Sequence, residues 1–211
     1  KHKSFVRNIG GYLNDVFKFR LLNVINRLAV NLNFKSDPYH TFSSILKLKK
    51  TYQIQTIFFF LVGDYTTFDT NVSVSKSKYR LLIKEMVDYA HVGLHPSYFS
   101  MKNGALIKKE KERLENITNT PIKNSRQHYL RFSLPETYQL LIDLEIEEDY
   151  SMGYASNVGF RAGTCTPFYF YDLDFEIQTP LKIYPFALMD TTLNDYMKLT
   201  PKQSLGKIRD L

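Results

Sequence analysis

The chain has 211 residues, is 44% apolar and 15% aromatic, and carries a formal net charge of +7. This composition excludes a disordered polymer and supports a single sizeable domain. A single cysteine, Cys165, excludes an internal disulfide. The longest strongly apolar run, "TIFFFLV", falls far short of the roughly 20 residues of a membrane helix.

The charge is unevenly placed. Residues 1–35 hold seven basic side chains against Asp15 alone, a net +6, so the remainder is nearly neutral. Ile9, Tyr12, Leu13, Val16, Phe17, Leu21, Ile25 and Leu28 recur at helical spacing. This predicts an amphipathic helix, or two with a break near Phe19, either docked on the core with a solvated basic face or presenting a surface to anionic lipid, glycan or nucleic acid. Residues 1–36 are read as a basic helical segment, an insertion within the domain, and 37–211 as the domain proper. Aromatic residues do not interleave with the basic ones on one face, so a nucleic-acid platform is not expected.

The next helix is expected to open at Asp37 and Pro38 and to end near Tyr52. "IQTIFFFLVGD" reads as a buried strand of parallel type, closed by Gly63. "SKYRLLIKEMVDYA" is helical, with Tyr79, Leu82, Ile83, Met86 and Val87 on one face. "HVGLH" is a short strand, and "GALIKKEKERLENI" a charged, exposed helix. "IKNSRQHYL" is a strand and loop; "SLPETYQLLIDLEI" carries the capping pattern Ser133-x-x-Glu136. "EEDYSMG", "FRAGTCTPFYFYD" and "LKIYPFALMD" supply further strands and loops, and Thr200 with Gln203 caps a last helix. Helices and strands alternate, which predicts an α/β chain with a mainly parallel sheet, open or closed into a barrel.

In such folds chemistry collects at the C-terminal ends of strands. That rule gathers Gly63 and Asp64; His95, Pro96 and Ser97; Arg126 to Tyr129; Asp149 and Tyr150; and Met189 and Asp190. Residues able to bind a metal or move a proton converge there. His91 and His95 are four apart, but Gly93 and Pro96 argue against a shared helical face. Cys165 has no activating neighbour in the sequence and reads as a packing residue, as does His40. The tyrosines of "PFYFYD" either stack on sugar rings or pack in the core.

Several stretches resemble, in order, the motifs of the polysaccharide deacetylases, the NodB-homology or carbohydrate esterase 4 family. They are "IQTIFFFLVGD", "HVGLHPS", "SRQHYLRFSLPETYQLLIDLEIEEDYS", "GFRAGTCTPFYFYD" and "LKIYPFALMD". The resemblance spans about residues 37–200 and is nearest to a divergent subgroup of Bacteroidetes type with "GLHPSY", "RQHYL" and "GFRAGTC". It implies a distorted (β/α) barrel, here without its first and last strands, which would lie beyond residues 1 and 211. It implies a divalent metal, usually zinc, and hydrolysis of the N-acetyl group of an amino-sugar polymer or related amide.

On this resemblance His95 matches the first metal histidine, and the second would fall at Phe99, which cannot bind metal. His128 is the candidate replacement; a substrate contact or loop cap is the other reading. Arg126 matches the arginine that orients a catalytic carboxylate. Tyr129 matches the tyrosine whose amide helps stabilise the oxyanion. Arg161 either serves the fourth motif or forms a structural ion pair. Ser97, Asp149 and Tyr150 are candidate substrate contacts. The expected substrate is a glycan or small amide, handled in the cytoplasm or the bacterial envelope. The alternative is a catalytically degenerate domain that binds envelope glycan or a partner protein.

Overall fold

The computed structural model describes residues 40–211 together with residues 11, 14, 16–32, 34 and 35. Asp37 and Pro38, expected to start a helix, lie outside the described residues.

The elements run in the alternation the sequence predicts. Helix α1 covers Leu21–Asn31 and α2 Phe42–Tyr52; strand β1 is Ile57–Phe60. Then come α3 (Ser77–Tyr89), β2 (His91–Leu94), α4 (Gly104–Thr118) and β3 (Asn124–Ser125). Helix α5 is Glu136–Asp143, followed by β4 (Glu148–Asp149), β5 (Phe168–Asp172), β6 (Ile177–Ile183) and α6 (Pro201–Arg209). The strands form one sheet in the order β1-β2-β3-β4-β6-β5. All neighbours are parallel except the β5–β6 pair at one end. The sheet begins at β1 and ends at β5; these two are not paired with each other among the described residues, so barrel closure is not part of the observed fold.

Burial explains why these elements hold. β1 reads IFFF, aromatic and β-branched residues that suit a strand covered on its faces. In α3 the buried residues are Leu82, Ile83 and Met86, one stripe facing the sheet. Ile83, Leu94, Ile107, Leu114, Leu181 and Ile183 have no exposed surface, and each contributes about 1.5–3 kcal/mol by leaving water. Gly93 is required by packing: a Cβ there would sit 2.5 Å from the Phe59 ring and 2.9 Å from the Asn124 carbonyl. Any side chain at this position would push β1 and β3 away from β2.

Four expectations are corrected. Helix α4 is not simply a charged exposed helix: Ile107, Glu110, Leu114, Ile117 and Thr118 are buried, because one face of its charged sequence is apolar at helical spacing. The Ser133 hydroxyl does donate to Glu136 (2.7 Å), but the helix begins only at Glu136, so the pair staples the turn before it. The last parallel strand ends at Ile183 instead of running through 181–190. The break at Phe19 is present, with φ at 51°, yet the helix that follows does not dock as expected: Leu21, Leu22, Ile25 and Leu28 are all exposed. The Thr200–Gln203 capping box forms as predicted, with both hydrogen bonds. No described helix is long and apolar enough to cross a membrane.

Candidate active site

Backbone pairing sets the site. β2 ends at Leu94, and the His95 amide extends the ladder by donating to the Phe60 carbonyl at 3.0 Å. On the other side the Arg126 amide donates to the Leu94 carbonyl at 3.0 Å, and the His128 amide to the Pro96 carbonyl at 3.2 Å. These bonds carry His95 and the Arg126–Tyr129 turn side by side past the C-terminal ends of β2 and β3. The two imidazole rings lie 4.9 Å apart, centre to centre, inclined at 59°.

Each ring is held by one nitrogen. His95 Nδ1 bonds the Arg126 carbonyl. A carbonyl only accepts, so Nδ1 carries the proton and Nε2 keeps its lone pair. His128 Nδ1 donates to Asp69 Oδ1 at 2.7 Å. An imidazole with Nδ1 donating to a carbonyl or carboxylate, and Nε2 free, is oriented as metal-binding histidines are. Burial pushes the His95 pKa down to about 4, against the raising effect of its bond to the Arg126 carbonyl. The ring is therefore neutral at physiological pH, the form that binds a metal or accepts a proton.

Asp69 was not singled out by the sequence reading. It has no exposed surface. It accepts from the Thr66 hydroxyl (2.8 Å), the Tyr98 amide (2.9 Å) and His128. The Thr66 hydroxyl also accepts from the Asp69 amide at 2.9 Å, so "TTFD" folds into a tight turn that aims the carboxylate inward. That Thr-x-x-Asp turn was the available signal. The strand-end rule selects Asp64. Asp64 instead faces out and pairs with Arg113 (2.9 Å) and Lys109 (3.2 Å), which hold its carboxyl below the usual range.

A cleft of about 440 Å³ opens over the two histidines. Arg126, Tyr129, Ala155, Met189, Thr191, Asp195 and Tyr196 also line it. Tyr129 adopts φ 58°, a left-handed conformation uncommon for a bulky residue and often found at functional sites. Its amide has no hydrogen-bond partner among the described residues. Arg126 donates to the Tyr150 carbonyl at 2.9 Å, and its guanidinium lies 4.1 Å over the Phe186 ring. Burial lowers its pKa. Among the described residues it pairs with no carboxylate.

Four predicted site residues thus meet in one cleft: His95, His128, Arg126 and Tyr129. Four do not. Asp149 is fully buried and saturated by the Ser125 hydroxyl (2.7 Å), the Ser151 amide (2.9 Å) and the Ser151 hydroxyl (2.9 Å). Burial raises its pKa. It ties β3 to β4 and is out of reach of a substrate. Ser97 is buried, its amide donating to Glu110 at 2.9 Å. Tyr150 stacks on Tyr184 with ring centres 4.7 Å apart, and its hydroxyl donates to Glu148 at 2.8 Å. Arg161 lies 4.6 Å over the Phe132 ring and lines a separate, largely apolar cavity of about 690 Å³. Phe99, which cannot bind metal, is over half exposed and packs on Phe68 and Tyr98. His91 stands at the opposite end of β2, beside Lys47 and Lys50. Cys165 is exposed, not packed.

Among the described residues no three His, Cys, Asp or Glu side chains are grouped to hold a metal. The site offers two imidazoles, one of them braced by a buried carboxylate.

No protein-family model and no curated protein matches the chain. Solved structures that resemble it include these two. One, from Mycobacterium smegmatis and assigned as a polysaccharide deacetylase, is 12% identical with a TM-score of 0.48, covering 83% of this chain and 53% of that one. The other, IcaB from Ammonifex degensii, is 17% identical with a TM-score of 0.39, covering 52% of this chain and 54% of that one. The chain therefore spans about half the length of each. Both TM-scores lie below 0.5, so the functional reading rests on this chain's own residues.

Proposed function

We propose that the chain carries the active site of a metal-dependent deacetylase acting on the N-acetyl groups of an amino-sugar polymer. The observation that supports this most is the histidine pair, each ring fixed through Nδ1 with Nε2 left free. His95 and His128 would hold the metal, with further ligands from water, substrate or residues outside the described ones. A bound divalent ion such as zinc would supply a Lewis acid and an acidified water.

The remaining roles belong to the chain itself. Asp69 keeps His128 in the tautomer that presents Nε2. The unpartnered Tyr129 amide, at the cleft wall, donates to the oxyanion that develops on the acetyl oxygen. Arg126 packs between the Tyr150 carbonyl and Phe186, fixing the turn that carries His128 and Tyr129. Asp195 brings a carboxylate able to take up a proton.

The reading is tested by acetate release from N-acetylglucosamine oligomers with zinc present. Wild type is expected to release acetate and His128→Ala to release none. Equal release by both would refute the assignment. Oligomer binding without acetate release by wild type would favour a glycan-binding domain that has lost catalysis.

A further inference from the structure

Beside the histidine cleft the structure displays four aromatic rings. Phe68 stacks on Tyr98 with centres 4.0 Å apart and planes 14° from parallel. The Arg131 guanidinium lies 4.2 Å over the same Tyr98 ring. Two groups that close to one ring centre must occupy opposite faces, so Tyr98 is sandwiched. Phe99 meets Phe68 and Tyr98 edge-on, at 5.8 and 5.2 Å. Tyr129 also meets both edge-on, at 6.2 and 5.5 Å, and sits 4.5 Å from the His128 ring. The Tyr98 amide is tied to Asp69.

These rings are fixed yet not buried. Phe68, Phe99 and Tyr129 expose 39%, 53% and 57% of their surface. Rings used only for packing would turn those faces inward. Here mutual edge and face contacts and a stacked guanidinium hold them open to solvent, so a ligand meets a surface already ordered. Tyr129 belongs both to this surface and to the cleft wall, so the surface continues the site. Flat apolar faces held open to solvent, two of them on tyrosines that carry hydroxyls, suit a ring that is apolar on its faces and hydroxylated at its edge. That ring is a pyranose.

We infer that Phe68, Phe99 and Tyr129, buttressed by Tyr98 and Arg131, form a stacking platform for a sugar residue next to the one whose acetyl group enters the cleft. This rests on the deacetylase reading and deepens it: the substrate is an oligomer of at least two sugars, not an isolated amide. Phe99, which cannot bind metal, thereby has a role in the site.

The experiment measures binding of a N-acetylglucosamine tetramer to the intact protein by calorimetry with a chelator present, so that no turnover is needed. Wild type is expected to bind. Phe99→Ala is expected to weaken binding about tenfold, equivalent to about 1.4 kcal/mol, and Phe99→Tyr to restore it. Phe68→Ala is the second variant, expected to weaken binding in the same way; circular dichroism checks that both alanine variants are folded. In the zinc-loaded enzyme Phe99→Ala should raise KM for the tetramer about tenfold, the same factor as its loss of binding. Tetramer binding by wild type that neither alanine variant weakens would overturn the platform, as would no tetramer binding at all. Loss of binding in the variants, with no deacetylation by wild type, would instead retain the platform and reject the deacetylase reading.

Discussion

Asp69, in the turn after β1, and Asp149, at the C-terminal end of β4, are both wholly buried carboxylates, yet they differ in what they hold. Asp149 is closed on itself: two serine hydroxyls and a backbone amide bind it, from Ser125 in β3 and from Ser151 just after β4. Asp69 uses a hydroxyl and an amide in the same way, but spends its remaining capacity on His128, an imidazole that reaches an open cleft. A buried carboxylate satisfied only by its own scaffold supports the fold. One that passes a hydrogen bond to a solvent-facing imidazole supports chemistry. Burial alone does not separate the two; the last partner does.

The contrast breaks most visibly at Asp149. Asp149→Ala leaves three buried donors without their acceptor, and is expected to cost about 4 kcal/mol of stability. Chemical denaturation measures this, and zinc affinity of the remaining folded protein should not change. An equal loss of zinc affinity would dissolve the distinction.

The next effect is a pH dependence at His95. Its folded pKa is about 4 against 6.5 for the free side chain. Between those values the unfolded chain binds the proton and the folded chain does not, so stability declines as pH falls from about 6.5 towards 4 and is unaffected above 6.5. The full loss is about 3 kcal/mol. Denaturant titrations of the chelated protein across that window should show the decline in wild type and a shallower one in His95→Gln.

Asp69→Asn is expected to lower zinc affinity about 10–100-fold, the usual effect of removing an outer-shell carboxylate, with the fold retained. Competition with a fluorescent chelator reads it. The smallest effect is assigned to Arg161→Ala. Its guanidinium lies on Phe132 in another cavity, so turnover should stay unchanged and stability fall by about 0.5–1 kcal/mol.

The comparison also shows what was legible in the sequence. Strand and helix order could be read because apolar periodicity reports burial directly: Leu82, Ile83 and Met86 behave as their spacing requires. His95 was legible because a strand end fixes its direction. His128 and Tyr129 could be read from the "RQHY" turn that follows the next strand. Asp149 was misassigned because a strand-end carboxylate looks the same in sequence whether it faces a cleft or two serines. Asp69 was overlooked because its direction is set by a turn through Thr66 and a contact 59 residues away, neither of which leaves a periodic trace. The exposed apolar residues of α1 carry the same lesson: an amphipathic pattern predicts a helix but not what covers it.

The central claim is that His95 and His128 present a two-nitrogen metal site. Calorimetric titration of zinc into the metal-free protein tests it most directly. One zinc per chain in wild type and in Asp149→Asn, and none in the His95→Ala/His128→Ala double variant, is the predicted result. Stoichiometric zinc binding that survives in the double variant, or none in wild type, would contradict it.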